Sequence, residues 1–404
     1  MSFTDSGQRK NLSKSATIAF VLAIILNIIP LLLFKYTGFV LSTINEWFGI
    51  NILQPQWTLP VGISFFTFQA VSLLVDVKTR KIQYQPNIFE IIFYLTFFTT
   101  MTSGPIVRFD TIRSQLIQRS ITAEKVNSGI TRLVIGLGKK VLLANNLVIY
   151  VGDVFSYTGS ASLSVLAYWT GSIAFSLQLY LDFSGYSDMA IGISRIIGFE
   201  IPENFDYPYT ARNIGEFWRK WHISLSQWFR DYIYISLGGN RVAKSRHIFN
   251  LFVVWCLTGI WHGANWTFII WGLMYFLLLL FEKYFKNGAN YLKSHFIGHI
   301  YTLFFVNLLW VFFRASSVVD AGVYFLRMFG VGSTCIPIEN SSLHIIPFLI
   351  LSGVCCLPIA KKIKKYKTSK SLIIVKAIVF CGILVSSILF ISNSSVTPFI
   401  YGNF

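Results

Sequence analysis

Two histidines stand beside tryptophans in this 404-residue chain, in Trp221-His222-Ile223 and in Trp261-His262-Gly263. An imidazole titrates near pH 6.5 and suits the removal of a proton from a hydroxyl at neutral pH. His262 lies in the stretch from Thr258 to Trp266, between Gly259 and Gly263, with Asn265 three residues on. That stretch interrupts an apolar run from Ile248 to Phe281. As one helix the run would reach about 50 Å, against a hydrocarbon core about 30 Å thick. It must kink, tilt or break, and the two glycines are the natural place. An ionisable residue at such depth is costly and marks a functional site by default. A neutral histidine hydrogen-bonded inside a helix bundle would give the same sequence pattern.

The elements that must position these imidazoles belong to a membrane protein. The chain is 54% hydrophobic and 13% charged, with a mean hydropathy of +0.59, whereas soluble domains carry about a quarter charged residues. Its net charge of +17 does not imply nucleic acid, because the bases are scattered through short loops. There they satisfy the positive-inside rule and face anionic lipid. Cys256, Cys335, Cys355, Cys356 and Cys381 form no CxxC pair and have no histidine at ligand spacing, so no metal site and no permanently bound cofactor is expected. Arg9, Lys10 and Lys14 precede a run from Ala16 to Phe34 without a small-x-small cleavage site, which reads as a retained first span.

Apolar runs occur at about 16–35, 58–77, 87–104, 130–152, 161–181, 185–199, 246–258, 264–281, 296–313, 344–360 and 371–391. They predict about nine to eleven membrane helices in a single domain, 1–404, some of them re-entrant or buried in protein. The N-terminus and the lysine-rich loop Lys361, Lys362, Lys364, Lys365, Lys367 and Lys370 are expected in the cytoplasm. The segment 36–57 and the tail after Asn393 are expected outside. Arg108, Arg113, Arg119 and Lys125 make 87–104 a re-entrant segment, ended by Gly104-Pro105.

Between Asp206 and Arg246 the pattern changes. Ile214, Phe217, Trp218, Trp221, Leu225, Trp228, Phe229 and Tyr232 fall on one face of a helix. Asn213 is its expected N-cap, with Glu216 at the capping-box position. Such a helix is expected in the membrane interface. Arg230-Asp231 adds a charge pair, and Gly238-Gly239 predicts a turn at positive φ. Upstream, Asp182, Ser184, Tyr186, Ser187 and Asp188 form a polar cluster at the end of an apolar run. Its carboxylates either orient an imidazole or bind a hydroxyl-rich acceptor, or else cap two helices, the reading preferred for Asp188.

Five motifs in this order resemble the membrane-bound O-acyltransferases, in the bacterial branch of alginate O-acetylation and teichoic-acid D-alanyl transfer. They are Asn204 to Tyr209, Glu216 to Ser226, Trp228 to Tyr232, Leu237 to Arg241 and Gly259 to Gly263. Leu59 to Gln69 and Ser103 to Arg108 are similar as well, and the likeness runs from about residue 20 to 330, with a motif core of about 58–330. The resemblance implies a helical bundle around a tunnel in the bacterial cytoplasmic membrane. It makes His262 the catalytic residue and His222 the supporting one. From the reading of the residues themselves, Trp261, Asn265, Trp218, Arg230, Asp231, Asp182 and Ser184 are the candidate substrate contacts.

The implied reaction moves an acyl group, best taken as acetyl, from a cytoplasmic thioester (acetyl-CoA or an acyl carrier) to a hydroxyl. The acceptor would be a cell-surface polysaccharide or an extracytoplasmic partner acyltransferase serving it. D-alanyl transfer is the nearest alternative. A transporter or flippase would also bury polar groups at the midplane, but it needs no base beside a thioester, and no inverted repeat is visible.

Overall fold

The computed structural model describes residues 13–156, 163–285, 291–292, 295–334, 344–359 and 370–393. Among them the regular structure is entirely helical. The lysine run from Lys361 to Lys367, Cys335 and the tail after Asn393 lie outside the described residues.

Helix α1 (Lys14–Leu31) is capped by Ser13, contains Pro30, and passes through a π-helical turn, Leu32–Tyr36, into α2 (Thr37–Phe48). An interior proline removes one backbone hydrogen bond, and a π-turn is a common accompaniment of such bends. The segment expected as a loop from residue 36 is therefore helical as far as Phe48. Next come α3 (Ile63–Lys78) and α4 (Ile88–Leu95), the latter held by a full capping box of Asn87 and Glu90. The rest of the apolar run to Gly104 is not helical, so α4 alone is too short to span. Helices α5 (Phe109–Ile117) and α6 (Ala123–Gly138) follow, then a π-turn, Lys139–Ala144, and α7 (Asn145–Ser156).

Two apolar runs expected as separate spans form one helix, α8 (Val165–Ile196). The cluster from Asp182 to Asp188 thus lies within a helix rather than at an end, and Asp188 is not a cap. The reason is α6. Gly129 and Gly136 face Gly192 and Gly185, and a Cβ on Gly185 would come 2.8 Å from the Gly136 carbonyl. Small residues permit such close approach between membrane helices. The contact also brings cations to the carboxylates: Arg132 and Lys139 bind Asp188 at 2.8 and 2.7 Å, and Lys140 binds Asp182 at 2.5 Å. A Gly185→Leu variant is expected to lose at least the ~1–3 kcal/mol typical of overpacking, read as a lower thermal midpoint in detergent. An unchanged midpoint would contradict this contact.

The amphipathic stretch is two helices, α9 (Ile214–Lys220) and α10 (Ile223–Phe229), followed by a π-turn, Arg230–Tyr234. They are separated at Trp221-His222, where His222 takes a left-handed conformation, φ +43°. Asn213 caps α9 through the Glu216 amide at 2.7 Å, but Glu216 accepts from the Arg212 amide instead of completing the box. Glu282 accepts from the Ile214 and Gly215 amides, placing a carboxylate on the positive end of α9. All eight residues of the predicted apolar face are buried. The face packs on protein and is not offered to an interface. Gly238 and Gly239 make the expected positive-φ turn.

The remaining elements are α11 (Lys244–His262), α12 (Trp266–Tyr284), α13 (Ile297–Arg314), α14 (Val318–Met328), α15 (Ile346–Cys355) and α16 (Lys370–Asn393). Among the described residues five helical stretches are long and apolar enough to cross a membrane: Lys14–Phe48, Ala123–Ser156, Trp266–Tyr284, Ile297–Arg314 and Ile373–Asn393. The other expected runs are merged, shortened or interrupted by buried polar side chains such as Asn250 and Thr258. Outer helices α1 and α16 expose rows of Ile, Leu and Val, as lipid-facing helices do.

Candidate active site

His262 is the last residue of α11, and Asn265 opens α12 by accepting from the Thr267 amide at 3.0 Å. The break falls at Gly263, where the Phe268 ring occupies the place a Cβ would need. Gly259, the other glycine expected to break the run, is helical and lets the hairpin close. Its Cβ would sit 2.5 Å from the Phe268 carbonyl, and one on Gly272 2.5 Å from that of Trp255.

A helix C-terminus leaves carbonyls without intrahelical partners. Here the first helical stretch supplies them: Lys35 Nζ donates to the Trp261 carbonyl at 2.6 Å and Tyr36 Oη to that of Ile260 at 2.8 Å. Lys35 also donates to Ser64 Oγ at 3.2 Å. A cation at the negative end of α11 is favourable, and the clamp fixes the residue next to His262. Lys35→Met should cost about 1.5–3 kcal/mol, the range for hydrogen bonds to charged groups. A thermal midpoint equal to wild type would show that the clamp does not hold α11.

His262 is 2% exposed and His222 fully buried. The Trp261 ring stands near both, its centroid 5.0 Å from His262 and 6.1 Å from His222. Trp271 and Phe313 present their rings to His262 at 4.9 and 5.3 Å. The aromatic wall continues through Trp310 to Trp221.

His222 is set by Asn204. Its Nδ1 lies 3.0 Å from Asn204 Oδ1, which also accepts from the Ser224 amide at 3.3 Å and Ser224 Oγ at 2.9 Å. The amide of Ser224 can only donate, so the atom facing His222 is the carbonyl oxygen and Nδ1 must carry the proton. Nε2 is then the basic nitrogen. The Asn204 amide donates onward to Ser187 Oγ at 3.3 Å, and the Ile223 amide donates to the Asn204 carbonyl at 3.0 Å. Phe183 packs edge-on against the His222 ring at 4.7 Å. This lacing accounts for the left-handed backbone at His222, a conformation that non-glycine residues keep only when their surroundings impose it.

The other candidates divide. Trp261 joins the two imidazoles. Trp218 stands one layer out, against Trp271 at 5.6 Å and Trp255 at 4.8 Å. Asn265 uses both ends of its amide to hold the loop, donating to the Ser316 carbonyl at 2.9 Å. Asp182 is in the buried pair with Lys140, and Ser184 accepts from Lys139 at 3.4 Å. Arg230 and Asp231 pair with each other, and Asp231 with Arg108. Arg230 and Asp231 touch neither imidazole among the described residues. Asn204, Lys35, Tyr36 and Phe183 were not singled out from sequence. Asn204 opened a recognised motif, while Lys35 showed only as the charge ending a span.

A model of the membrane-bound O-acyltransferase family matches residues 14–319. The chain belongs to that family. As a membrane-bound O-acyltransferase it is an integral membrane protein. It is 37% identical over 321 residues to the probable alginate O-acetylase AlgI of Pseudomonas aeruginosa, covering 78% of this chain and 60% of that one. It is 35% identical to the peptidoglycan O-acetyltransferase of Helicobacter pylori, covering 74% of this chain and 62% of that one. With the teichoic acid D-alanyltransferase of Bacillus subtilis it shares 30% identity, covering 66% and 68%. The chain thus spans about three-fifths of the length of the curated acetylases it matches.

Proposed function

We propose that this protein transfers an acyl group, preferentially acetyl, from a thioester to a hydroxyl, with His262 as general base. The observation that carries the reading is the buried imidazole closing α11, walled by Trp261, Trp271 and Phe313, with the His222 ring against the same Trp261. His262 takes the proton of the acceptor hydroxyl as its oxygen attacks the thioester carbonyl carbon. The tetrahedral oxyanion then collapses, the C–S bond breaks, and the thiolate leaves with the proton from His262. The ester remains on the acceptor. His222 orients or stabilises the intermediate. No nucleophilic serine or cysteine is required. A positioned base is worth about 10²–10⁴-fold, and the aromatic wall strengthens each polar interaction by excluding water.

The donor thioester, acetyl-CoA or an acyl carrier, enters a tunnel from the cytoplasm. The acceptor approaches from outside and is a surface polysaccharide or a partner acyltransferase that serves it. Helices α3, α8, α11 and α15 join the five long stretches as membrane segments around that tunnel, nine in all, and α4 enters the membrane without crossing it. Acetyl is preferred because the acetyl-transferring relatives are the more similar, at 35% and 37% identity against 30% for the D-alanyl one. The test is to supply reconstituted protein with radiolabelled acetyl and D-alanyl thioesters. Acetyl release dependent on acceptor is expected. Release of D-alanine alone would reverse the acyl assignment, and release of neither would favour a transporter.

A further inference from the structure

A cavity of about 160 Å³ lies at the end of α13, lined by Phe155, Ser156, Arg314, Ser316 and Asp320 among others. Among the described residues Arg314 makes no ion pair; its guanidinium stands 5.5 Å from the Phe155 ring centroid. Asp320 lines the same cavity but accepts from the Ser316 hydroxyl instead. By contrast, Arg108, Arg113, Arg132 and Arg195 each hold a carboxylate. The cavity also adjoins the catalytic centre. Arg314 directly follows Phe313, whose ring packs on His262 at 5.3 Å, and the Ser316 carbonyl takes the Asn265 amide at 2.9 Å.

We propose that this cavity binds a carboxylate-bearing, hydroxyl-rich part of the acyl acceptor. A guanidinium grips a carboxylate through two parallel hydrogen bonds, with geometric selectivity. Asp320 and Ser156 then accept from ring hydroxyls, and a neighbouring hydroxyl is presented toward His262. This inference rests on the acyl-transfer reading above. An arginine at a helix C-terminus can also serve the helix dipole or a lipid headgroup. That role would account for the charge but not for a cavity shared with a carboxylate and two serines.

The experiment titrates the detergent-solubilised full chain with a uronic-acid oligosaccharide and with its carboxyl-reduced counterpart. Wild type should bind the acid at least tenfold more tightly. Arg314→Gln should abolish that preference, and Arg314→Lys should keep part of it. Absence of the preference in wild type, a comparison that needs no variant, overturns the proposal. So does its survival in Arg314→Gln, or a variant that alters binding of anionic-lipid vesicles but not of the oligosaccharide. The readout is binding, so a failure of His262 as the base would appear in the ester assays and leave this titration unaffected.

Discussion

His262→Ala, assayed as reconstituted protein under single turnover, is expected to slow acyl transfer by about 10²–10⁴-fold, the usual worth of a positioned base. Donor binding should change far less, because in the proposed reaction the side chain meets the acceptor hydroxyl and not the remote part of the thioester. His262→Gln should be nearly as slow. Glutamine fills much of the space and can hydrogen-bond, but its amide cannot take up a proton at neutral pH. A glutamine variant with near wild-type rate would mean that the imidazole only orients substrate. Truncation also opens a hole between Trp271 and Phe313, so the thermal midpoint should be followed in parallel. The glutamine variant separates the two effects, since it leaves a smaller void.

The second large effect is expected at Asn204, eighteen residues before His222 in sequence and 3.0 Å from its ring nitrogen. Asn204→Leu keeps the approximate shape and removes the acceptor of the Nδ1 proton. An unsatisfied buried polar group costs about 1–3 kcal/mol, and a comparable loss of transition-state stabilisation is roughly a 5- to 150-fold fall in rate. Asn204→Asp should recover most of it. A carboxylate accepts from His222 and Ser224 alike, and the Ser187 hydroxyl can rotate from accepting to donating. If Asp and Leu were equally impaired, Asn204 would be holding the Asn204–Ser224 loop rather than setting the tautomer of His222.

Much of this site was legible because its parts are local. The two Trp-His pairs, the glycines beside His262 and the Asn213 cap could be read from neighbouring residues. So could the break in the long apolar run, although only Gly263 makes it. What sequence concealed is what depends on a distant partner. Nothing near Lys35 says that its ammonium will close a helix more than two hundred residues away. The periodicity from Ile214 to Tyr232 reads as one helix because the side-chain pattern survives across a left-handed residue that Asn204 holds in place. The break before Asp182 was expected from polarity, but Gly185 packing on Gly136 turns that position into a helix contact, and Arg132 of α6 with Lys139 and Lys140 of the following π-turn then neutralise the carboxylates. The interfacial reading of the tryptophan face failed for the same reason. An amphipathic pattern says that a face is buried, not whether lipid or protein covers it.

The most direct test of the central claim is the amount of ester-linked acyl group on the cell-surface polymer of a strain whose only copy carries His262→Ala, with the protein level in the membrane measured alongside. Loss of the ester at a normal protein level is the predicted result. Esterification that persists at the wild-type level would contradict acyl transfer centred on His262.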